Sequence, residues 1–128
     1  MPIKTKKSLS DDLTEHIVTG VVTDKEMFDC ESEFYDNGPT NLQIWDLSAA
    51  ILTNITIEGM RQFVARSSGL GKVRSGGRTA LVVQSKLQYG LGRMAESFGD
   101  FESLPFTFRL FRNRSEAITW LKSDSPGD

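Results

Sequence analysis

The sequence contains one cysteine, one histidine and no long apolar run. A single cysteine excludes an internal disulfide bond, and together with a single histidine it leaves too few ligands for the usual zinc sites. No segment approaches the roughly 20 apolar residues that a helix needs to cross a bilayer. Residues 1–12 are polar and lack the apolar core of a secretory signal. We therefore expect a cytoplasmic protein that carries no metal and no other cofactor.

Acidic residues are missing from one long basic segment, which runs from residue 61 to residue 93. Residues 1–60 hold 4 basic and 11 acidic groups, whereas residues 61–128 hold 11 basic and 6 acidic groups, giving net charges of −7 and +5. Positive charge of this kind favours anionic partners. We predict weak contact with the anionic inner face of the membrane. The alternative is pairing with the acidic half of the molecule, or of a second copy in an oligomer. The predicted contact residues are Arg66, Lys72, Arg74 and Arg78.

The apolar pattern predicts a single α/β domain over residues 1–128. A chain of this length is sufficient for one domain with its own core. Short apolar runs alternate with longer amphipathic stretches in the order β-β-α-β-α-β-α-β-α. This order favours a mixed, mostly parallel five-stranded sheet with right-handed crossovers, an antiparallel N-terminal edge strand and four helices. The predicted strands cover residues 3–7, 13–23, 41–47, 78–84 and 106–112.

Capping residues and apolar spacing predict the four helices. Thr23 and Glu26 form a capping box at the start of the first helix. Thr56 and Ser115 are placed to cap the second and the last, and the third helix ends before Pro105. The closing residues 123–128 are expected to fray. The residues expected to face the core are Met27, Cys30 and Phe34 of the first helix, Ile57, Met60, Phe63, Val64 and Ser67 of the second, Leu91, Met94, Ala95 and Phe98 of the third, and Ala117, Ile118, Trp120 and Leu121 of the last.

Two glycine-rich stretches have some features of anion-binding loops. Gly90–Ala95 fits the GxGxxA dinucleotide pattern, but it does not directly follow its strand, and the region about 20 residues on is basic. It is therefore interpreted as the start of a helix. Residues 69–77 combine four glycines with Lys72 and Arg74, and backbone N–H groups beside cations suit an anion. A flexible, solvated loop is an equal alternative for this segment.

No residue stands out as catalytic. His16 and Cys30 are the candidates for acid–base and thiol chemistry, but the sequence identifies no partner for either. His16 is interpreted as structural, and Cys30 as a small apolar side chain. Asp46 ends a strand at the edge where parallel sheets bind ligands, and Ser48 and Thr53 after it form either a polar rim or a turn. Nucleic acid is not an expected partner, because the net charge is −2 and basic residues are not interleaved with aromatic ones.

Three short segments carry a family resemblance: Gly20–Glu26 (GVVTDKE), Ile44–Leu47 (IWDL) and Phe111–Leu121 (FRNRSEAITWL). They resemble the SpoIIAA-like family, relatives of the STAS domain of sporulation anti-anti-sigma factors. The resemblance covers roughly residues 12–121, which it marks as the core of the domain. It implies a right-handed (βα) superhelix with sequential strands, a fold also seen in CRAL-TRIO lipid-transfer domains.

The resemblance implies two functions of different kinds. Kinship with lipid-transfer domains implies a non-enzymatic binding module for a small apolar or amphipathic, lipid-like ligand, with peripheral contact to anionic membrane. Kinship with anti-anti-sigma factors implies a module that binds a regulatory protein and carries a phosphorylatable residue in a DSSG-like turn before the second helix. Here that turn is Asn54–Gly59 (NITIEG), which departs from the motif and offers Thr56 as the phosphosite. Ligand binding is the leading hypothesis, regulation is the alternative, and an enzyme comes third.

Overall fold

The computed structural model describes residues 2–123, which form a sheet flanked by helices. Residues 124–128, most of the tail predicted to fray, lie outside this range. Within it the strands are β1 Ile3–Ser8, β2 Leu13–Val21, β3 Leu42–Ile51, β4 Arg78–Val82 and β5 Thr107–Phe111. The helices are α1 Asp24–Asp36, α2 Ile57–Leu70, α3 Lys86–Glu102 and α4 Arg114–Leu121, with a turn of 3-10 helix, Gly71–Arg74, directly after α2.

The strands lie in the sheet in chain order, β1-β2-β3-β4-β5. β1 pairs with β2 in antiparallel orientation, and every other neighbouring pair is parallel. One helix joins each parallel pair, because parallel strands need a crossover connection. Over residues 2–123 the structure therefore confirms the predicted mixed, mostly parallel five-stranded sheet with an antiparallel N-terminal edge strand and four helices.

The two faces of the sheet are covered by different helices. On one face, named the α1–α3 face, Trp45 and Leu81 belong to an apolar cluster that packs against side chains of α1, α2 and α3. On the other, named the α4 face, Ile44 and Ala80 pack with Trp120 and its neighbours on α4. Successive residues of a strand point to opposite faces. Adjacent residues such as Ile44 and Trp45 therefore belong to different cores.

The parallel register aligns polar residues in one row on the α1–α3 face. Thr14, Gln43 and Thr79 are neighbours across β2, β3 and β4, and His16 and Trp45 begin the next row toward the carboxyl ends of the strands. All three residues of the polar row are buried. Buried polar groups require hydrogen-bond partners, so this row determines where a buried polar network must form.

Side-chain caps fix the starts of the first two helices as predicted. The Thr23 hydroxyl accepts from the backbone N–H of Glu26, and the Glu26 carboxylate accepts from the backbone N–H of Thr23, which is the expected capping box. The Thr56 hydroxyl accepts from the backbone N–H of Gly59 at 2.8 Å. Each bond satisfies an N–H group that the first turn of a helix leaves without an internal partner.

The predicted cap of α4 is wrong. Asn113 Oδ1 accepts from the backbone N–H of Glu116 at 2.9 Å, so Asn113 is the cap and Ser115 already lies inside the helix. The reason is that β5 ends at Phe111, which leaves only a two-residue connection before α4 begins. Asparagine and serine are comparable caps, so the sequence alone did not discriminate between them.

The glycine-rich segment 69–77 is ordered helix and turn, which corrects the prediction of a flexible loop. α2 continues to Leu70 and the 3-10 turn follows without a break. A Cβ on Gly71 would lie 2.6 Å from the Phe106 ring, and a Cβ on Gly77 would lie 2.5 Å from the carbonyl oxygen of Asn41. These two glycines are therefore explained by close packing, not by mobility.

β3 is longer than predicted and extends beyond β4. Its last β4 partner is Asp46, paired with Val82, while its pairing with β2 continues to Ile51 past a register shift. Asp46 therefore lies inside the strand, not at its end. Gln88 covers the exposed edge that results, because its side-chain amide donates to Ala50 O at 2.9 Å and to Ser48 O at 3.4 Å.

Two residues predicted to face the core are exposed. Ile57 is 54% exposed and Met94 is 37% exposed. Ile57 lies in the first turn of α2, close to where the chain leaves the carboxyl edge of the sheet, so helical periodicity overestimates how far the core extends. Of the remaining predicted stripe of α2, Val64 and Ser67 are buried as expected, and Met60 and Phe63 are half-buried.

Candidate functional site

A cavity of about 110 Å³ lies between the α1–α3 face of the sheet and its helices. Its walls are mainly apolar. An apolar cavity of about 150 Å³ in another protein binds benzene, and dry cavities of this kind accept small apolar molecules. The volume suits a molecule of roughly benzene size and is too small for a complete acyl chain. Among the lining residues are Met27, Trp45, Met60, Phe63, Leu91 and Phe108.

A buried polar network closes the end of the cavity that lies near the amino ends of the strands. Glu31 Oε1 accepts from the Gln43 amide at 2.9 Å, and Glu31 Oε2 accepts from the Ser67 hydroxyl at 3.0 Å. Glu31, Gln43, Ser67 and Thr79 all line the cavity. Burial raises the pKa of Glu31, while these two hydrogen bonds and the nearby positive charge of Arg74 oppose that shift.

Arg74 is the centre of this network, and its side chain is almost completely buried, with 1% exposure. Its guanidinium donates to the carbonyl oxygens of Thr40 at 2.8 Å and Asn41 at 3.0 Å, and to Thr79 Oγ1 at 3.0 Å. The ring of Phe106 lies against it, with 4.6 Å between the guanidinium carbon and the ring centroid. The prediction that Arg74 contacts an anionic surface is therefore wrong: its donors are used inside the protein.

The other predicted contact residues do not share a surface with one another. Arg66 donates to Ser32 Oγ at 2.6 Å, on the side of α2 that faces α1. Arg78 donates to Trp120 O at 2.6 Å, at the end of α4 on the opposite face of the sheet. Lys72 is exposed in the 3-10 turn. The structure therefore disperses the basic segment that is continuous in the sequence.

His16 and Cys30 are brought together, which the sequence analysis missed. His16 Nε2 lies 3.0 Å from the Gln43 amide nitrogen, which can only donate, so Nε2 accepts and the proton resides on Nδ1. Nδ1 then donates to Thr5 Oγ1 at 2.9 Å, and Cys30 Sγ lies 3.4 Å from the same nitrogen. The sequence contained a signal for this contact. β2 and α1 are consecutive in the chain, and the inward face of β2 would be expected to pack against the apolar stripe of α1.

This pair has the geometry of a nucleophile and its base but not the charge state. Burial, with a smaller effect from Arg74, lowers the pKa of His16 to about 3. Burial raises the pKa of Cys30 to about 11. An activated cysteine needs the opposite, a lowered thiol pKa beside a base that accepts the proton. The arrangement therefore favours a neutral hydrogen-bonded pair that orders β1, β2 and α1.

Comparison with known proteins identifies the fold. No family model matches the sequence, and no curated protein shows significant similarity to it. Among solved structures, the chain is similar to an uncharacterised protein of the DUF3478 family from Shewanella loihica PV-4, described as having a SpoIIAA-like fold. The TM-score is 0.55 with 19% sequence identity, and the match covers 93% of this chain and 91% of the other. The chain has a SpoIIAA-like fold.

In this SpoIIAA-like fold Thr56 takes part in a clasp between the starts of α1 and α2. The Thr56 hydroxyl donates to Asp24 Oδ2 at 2.7 Å, and the Thr56 backbone N–H donates to Asp24 Oδ1 at 3.1 Å. Asp24 and Gly59 also line the cavity, and a Cβ on Gly59 would lie 2.3 Å from the Asp24 carboxylate. The clasp therefore closes the end of the cavity opposite the polar network. A phosphoryl group on Thr56 would lie beside a carboxylate that now accepts its hydrogen bond.

The remaining candidate residues lie away from the cavity of the SpoIIAA-like fold or support its wall. Gly90 lies inside α3, as expected, and a Cβ on Gly92 would lie 2.6 Å from Leu110, so Gly92 allows α3 to approach β5. Asp46 does not line the cavity, and its carboxylate accepts from the Ser48 hydroxyl at 2.6 Å. Both residues lie inside β3, so the predicted polar rim is a local contact within the strand.

Neither a metal site nor a membrane span is found in the described part of the chain. Residues 2–123 contain no group of three or more histidine, cysteine, aspartate or glutamate side chains that could hold a metal ion. None of their helices has the length and apolarity needed to cross a membrane. A second cavity of about 250 Å³ lies between β1, β2 and α1, with Lys7, His16 and Cys30 in its wall, and the 110 Å³ cavity has the more apolar wall of the two.

Proposed function

We propose that this protein is a non-enzymatic binding module that takes a small apolar or amphipathic molecule into the cavity of the α1–α3 face. The observation that carries the proposal is the cavity itself, about 110 Å³ in volume and lined mainly by aromatic, leucine and methionine side chains. Methionine and aromatic walls adapt to ligands of different shape. A protein core without a binding role normally fills such a space.

The volume of the cavity limits the size of the lipid-like ligand that the sequence predicts. A molecule of no more than about six non-hydrogen atoms suits a volume below that of the benzene-binding cavity. A longer amphiphile would need to leave most of its chain outside. The dispersed positions of Arg66, Lys72, Arg74 and Arg78 give no support to membrane contact, so the proposal is restricted to the small molecule.

Benzene titration followed by protein NMR tests the proposal. We expect saturable chemical-shift changes at cavity residues such as Phe108. The matched pair of variants is Ala95→Leu, which fills the cavity, and Ala49→Leu, which makes the same change at an exposed position of β3. Binding should be lost in the first variant and retained in the second. Wild-type protein without saturable shifts at the cavity would contradict the proposal.

Native mass spectrometry of freshly purified protein gives an independent test. A bound molecule of low mass that is retained by wild type and absent from Ala95→Leu supports the proposal. Retention by both wild type and Ala95→Leu would place that molecule outside the cavity.

The second candidate function is a protein-interaction module of the anti-anti-sigma type. It is favoured by large apolar side chains that are exposed at the carboxyl edge of the sheet: Val21 and Ile51, which are paired in β2 and β3, and Ile57 and Leu87, which begin α2 and α3. Exposed apolar patches of monomers are often interaction sites. Photo-crosslinking from position 57 in cells tests this function, with Phe101, 86% exposed at the other end of the molecule, as the control position. Adducts specific to position 57 are expected, and equal adducts from both positions would exclude it.

A further inference from the structure

The charged side chains that line the cavity are all acidic. Two carboxylates, those of Asp24 and Glu31, line it near its two ends, and among residues 2–123 no lysine, arginine or histidine does so. Glu31 is held on an interior stripe of α1, where it is 3% exposed. A buried carboxylate is tolerated where hydrogen-bond donors or cations compensate it, and the cavity gives a donor on a ligand access to Glu31.

Burial raises the pKa of Glu31, whereas its hydrogen bonds and the charge of Arg74 act against that shift and favour the ionised form. Both of its oxygens accept, one from Gln43 and the other from Ser67. The amide of Gln43 also relays positive charge, because its oxygen lies 3.5 Å from Arg74 Nη1. Each carboxylate oxygen can accept two hydrogen bonds. Glu31 therefore retains acceptor capacity after its protein partners are satisfied.

Arg74 does not convert this end of the cavity into an anion site. It is absent from the lining, and its Nε, Nη1 and Nη2 groups donate to acceptors in the protein. A guanidinium has five N–H donors in fixed directions. Because these donors are all used within the protein, Arg74 cannot donate a hydrogen bond to a ligand. It contributes only the electrostatic field of its positive charge, from behind Gln43 and Thr79.

The aromatic walls of the cavity also favour a positively charged ligand. Trp45, Phe63 and Phe108 line the cavity, and the Trp45 and Phe63 rings are in edge contact with centroids 5.9 Å apart. The faces of aromatic rings attract cations, most strongly when water is excluded. The ring of Phe106 is less available, because Arg74 already lies over it.

We propose that the ligand of this cavity is a small apolar amine whose ammonium group binds at the Glu31 end, and that carboxylates of the same size are rejected. This inference rests on the proposed function and names its ligand class. The apolar part of the amine contacts the aromatic and methionine walls, and the ammonium group donates to the acceptor positions of Glu31 that Gln43 and Ser67 leave open. A ligand carboxylate in the same place would face Glu31 with no cation in the lining.

Calorimetric titration of the full chain with butylamine, 1-butanol and butanoate tests the inference, because these probes share a four-carbon chain. Butylamine should bind several-fold more tightly than 1-butanol, and butanoate about tenfold or more weakly than 1-butanol, since like charges in contact are strongly unfavourable. Glu31→Gln should remove the preference for the amine. Glu33→Gln makes the same change at an exposed position of the same helix and should leave the order unchanged.

The outcomes separate the inference from the function on which it rests. The amine assignment would be overturned by any of three results: equal binding of butylamine and 1-butanol, tightest binding of butanoate, or an amine preference that persists in Glu31→Gln. If Glu31→Gln does not fold, Glu31→Asp, which draws the carboxylate back from the cavity by one methylene, takes its place, and an amine preference unchanged in that variant overturns the assignment. Benzene binding without an amine preference leaves the proposed function standing. Binding of neither benzene nor any of the three probes overturns both.

Discussion

The α4 face and the α1–α3 face of the sheet bury their residues in different ways. On the α4 face, Ile44 and Ala80 are completely buried in a cluster with Trp120 and other apolar side chains. On the α1–α3 face, Glu31 and Arg74 are buried together with apolar residues, and a cavity remains. The face covered by one helix buries a mainly apolar cluster with one ion pair, Glu15–Arg114, whereas the face covered by α1, α2 and α3 combines a buried charged network with open space.

The difference follows from how many elements must fit together. A single helix can approach a sheet until its side chains interdigitate. Helices that also pack against one another, as α2 does against α1 and α3, cannot all approach independently. The Glu31–Ser67 and Asp24–Thr56 hydrogen bonds fix α1 against α2 and hold the space open. A cavity destabilises a protein, and its retention on the α1–α3 face alone is what supports the proposed binding function.

Arg74→Met should have the largest effect and should act on the α1–α3 face. We expect the free energy of unfolding to fall by about 5 kcal/mol, because breaking a buried ion network leaves Glu31 uncompensated and removes donors from Thr40 and Asn41. Urea denaturation measures this change. Lys72→Met, an exposed change in the same 3-10 turn, is the control and should change the free energy by less than about 0.5 kcal/mol. A loss below about 1 kcal/mol for Arg74→Met would contradict the network.

Trp120→Ala tests the α4 face. The ring is 7% exposed and packs beside Phe111, with centroids 5.4 Å apart. Replacing a buried tryptophan by alanine should cost about 3–4 kcal/mol of unfolding free energy. Benzene affinity should not change, because the cavity lies on the other face. Weakened benzene binding in a variant that remains folded would show that the two faces are coupled.

His16 should make stability depend on pH. Its pKa is lowered from 6.5 to about 3 in the folded protein, so the unfolded chain binds the proton first. The contribution of neutral His16 to the free energy of unfolding is then fully present above pH 6.5. It falls as the pH decreases toward 3, by about 1.4 kcal/mol per pH unit. The raised pKa of Glu31 acts in the opposite direction. The quantity to measure is therefore the difference in slope between wild type and His16→Gln, and equal slopes would refute the prediction.

Substitutions of Thr56 should have the smallest effects and probe the clasp. Thr56→Ser keeps both hydrogen bonds and should leave stability unchanged, while Thr56→Ala should cost about 1 kcal/mol, the usual value of a cap. Thr56→Asp should cost more than Thr56→Ala, although aspartate is a good cap, because it brings a second carboxylate against Asp24 in place of a donor. Thermal unfolding of the three variants gives the order, and aspartate behaving like serine would exclude the clasp.

The order of the elements was predictable because each carries a strong local pattern. Apolar runs in β3 and β4 and the capping box at Thr23 need no information about the rest of the chain. The failures have tertiary causes. Residues 69–77 look mobile because of their glycines, whereas the glycines at 71 and 77 allow contact with Phe106 and Asn41. Likewise, periodicity could not show that Ile57 lies beyond the edge of the core.

The candidate site was less predictable than the fold. Arg74 was assigned to a charged surface because its sequence neighbours are basic, yet its carbonyl partners Thr40 and Asn41 are more than 30 residues away. Glu31 lies on an otherwise apolar stripe of α1 and was not singled out. A buried acid and a buried base that are distant in sequence give no local signal. The tertiary contact between them creates the site.

Gln88 has a consequence for how a ligand enters and leaves. Its amide hydrogens reach the open edge of β3, and its carbonyl oxygen accepts from the backbone N–H of Gln84 at 2.7 Å, so the first turn of α3 is bonded to β3 and to the connection that follows β4. Moving α3 off the sheet would break these buried bonds together. The Asp24–Thr56 clasp between α1 and α2 is exposed and exchanges easily with water. We therefore expect a ligand to enter and leave between α1 and α2, while α3 stays in place. The opening of the Asp24–Thr56 clasp should set the rate of exchange.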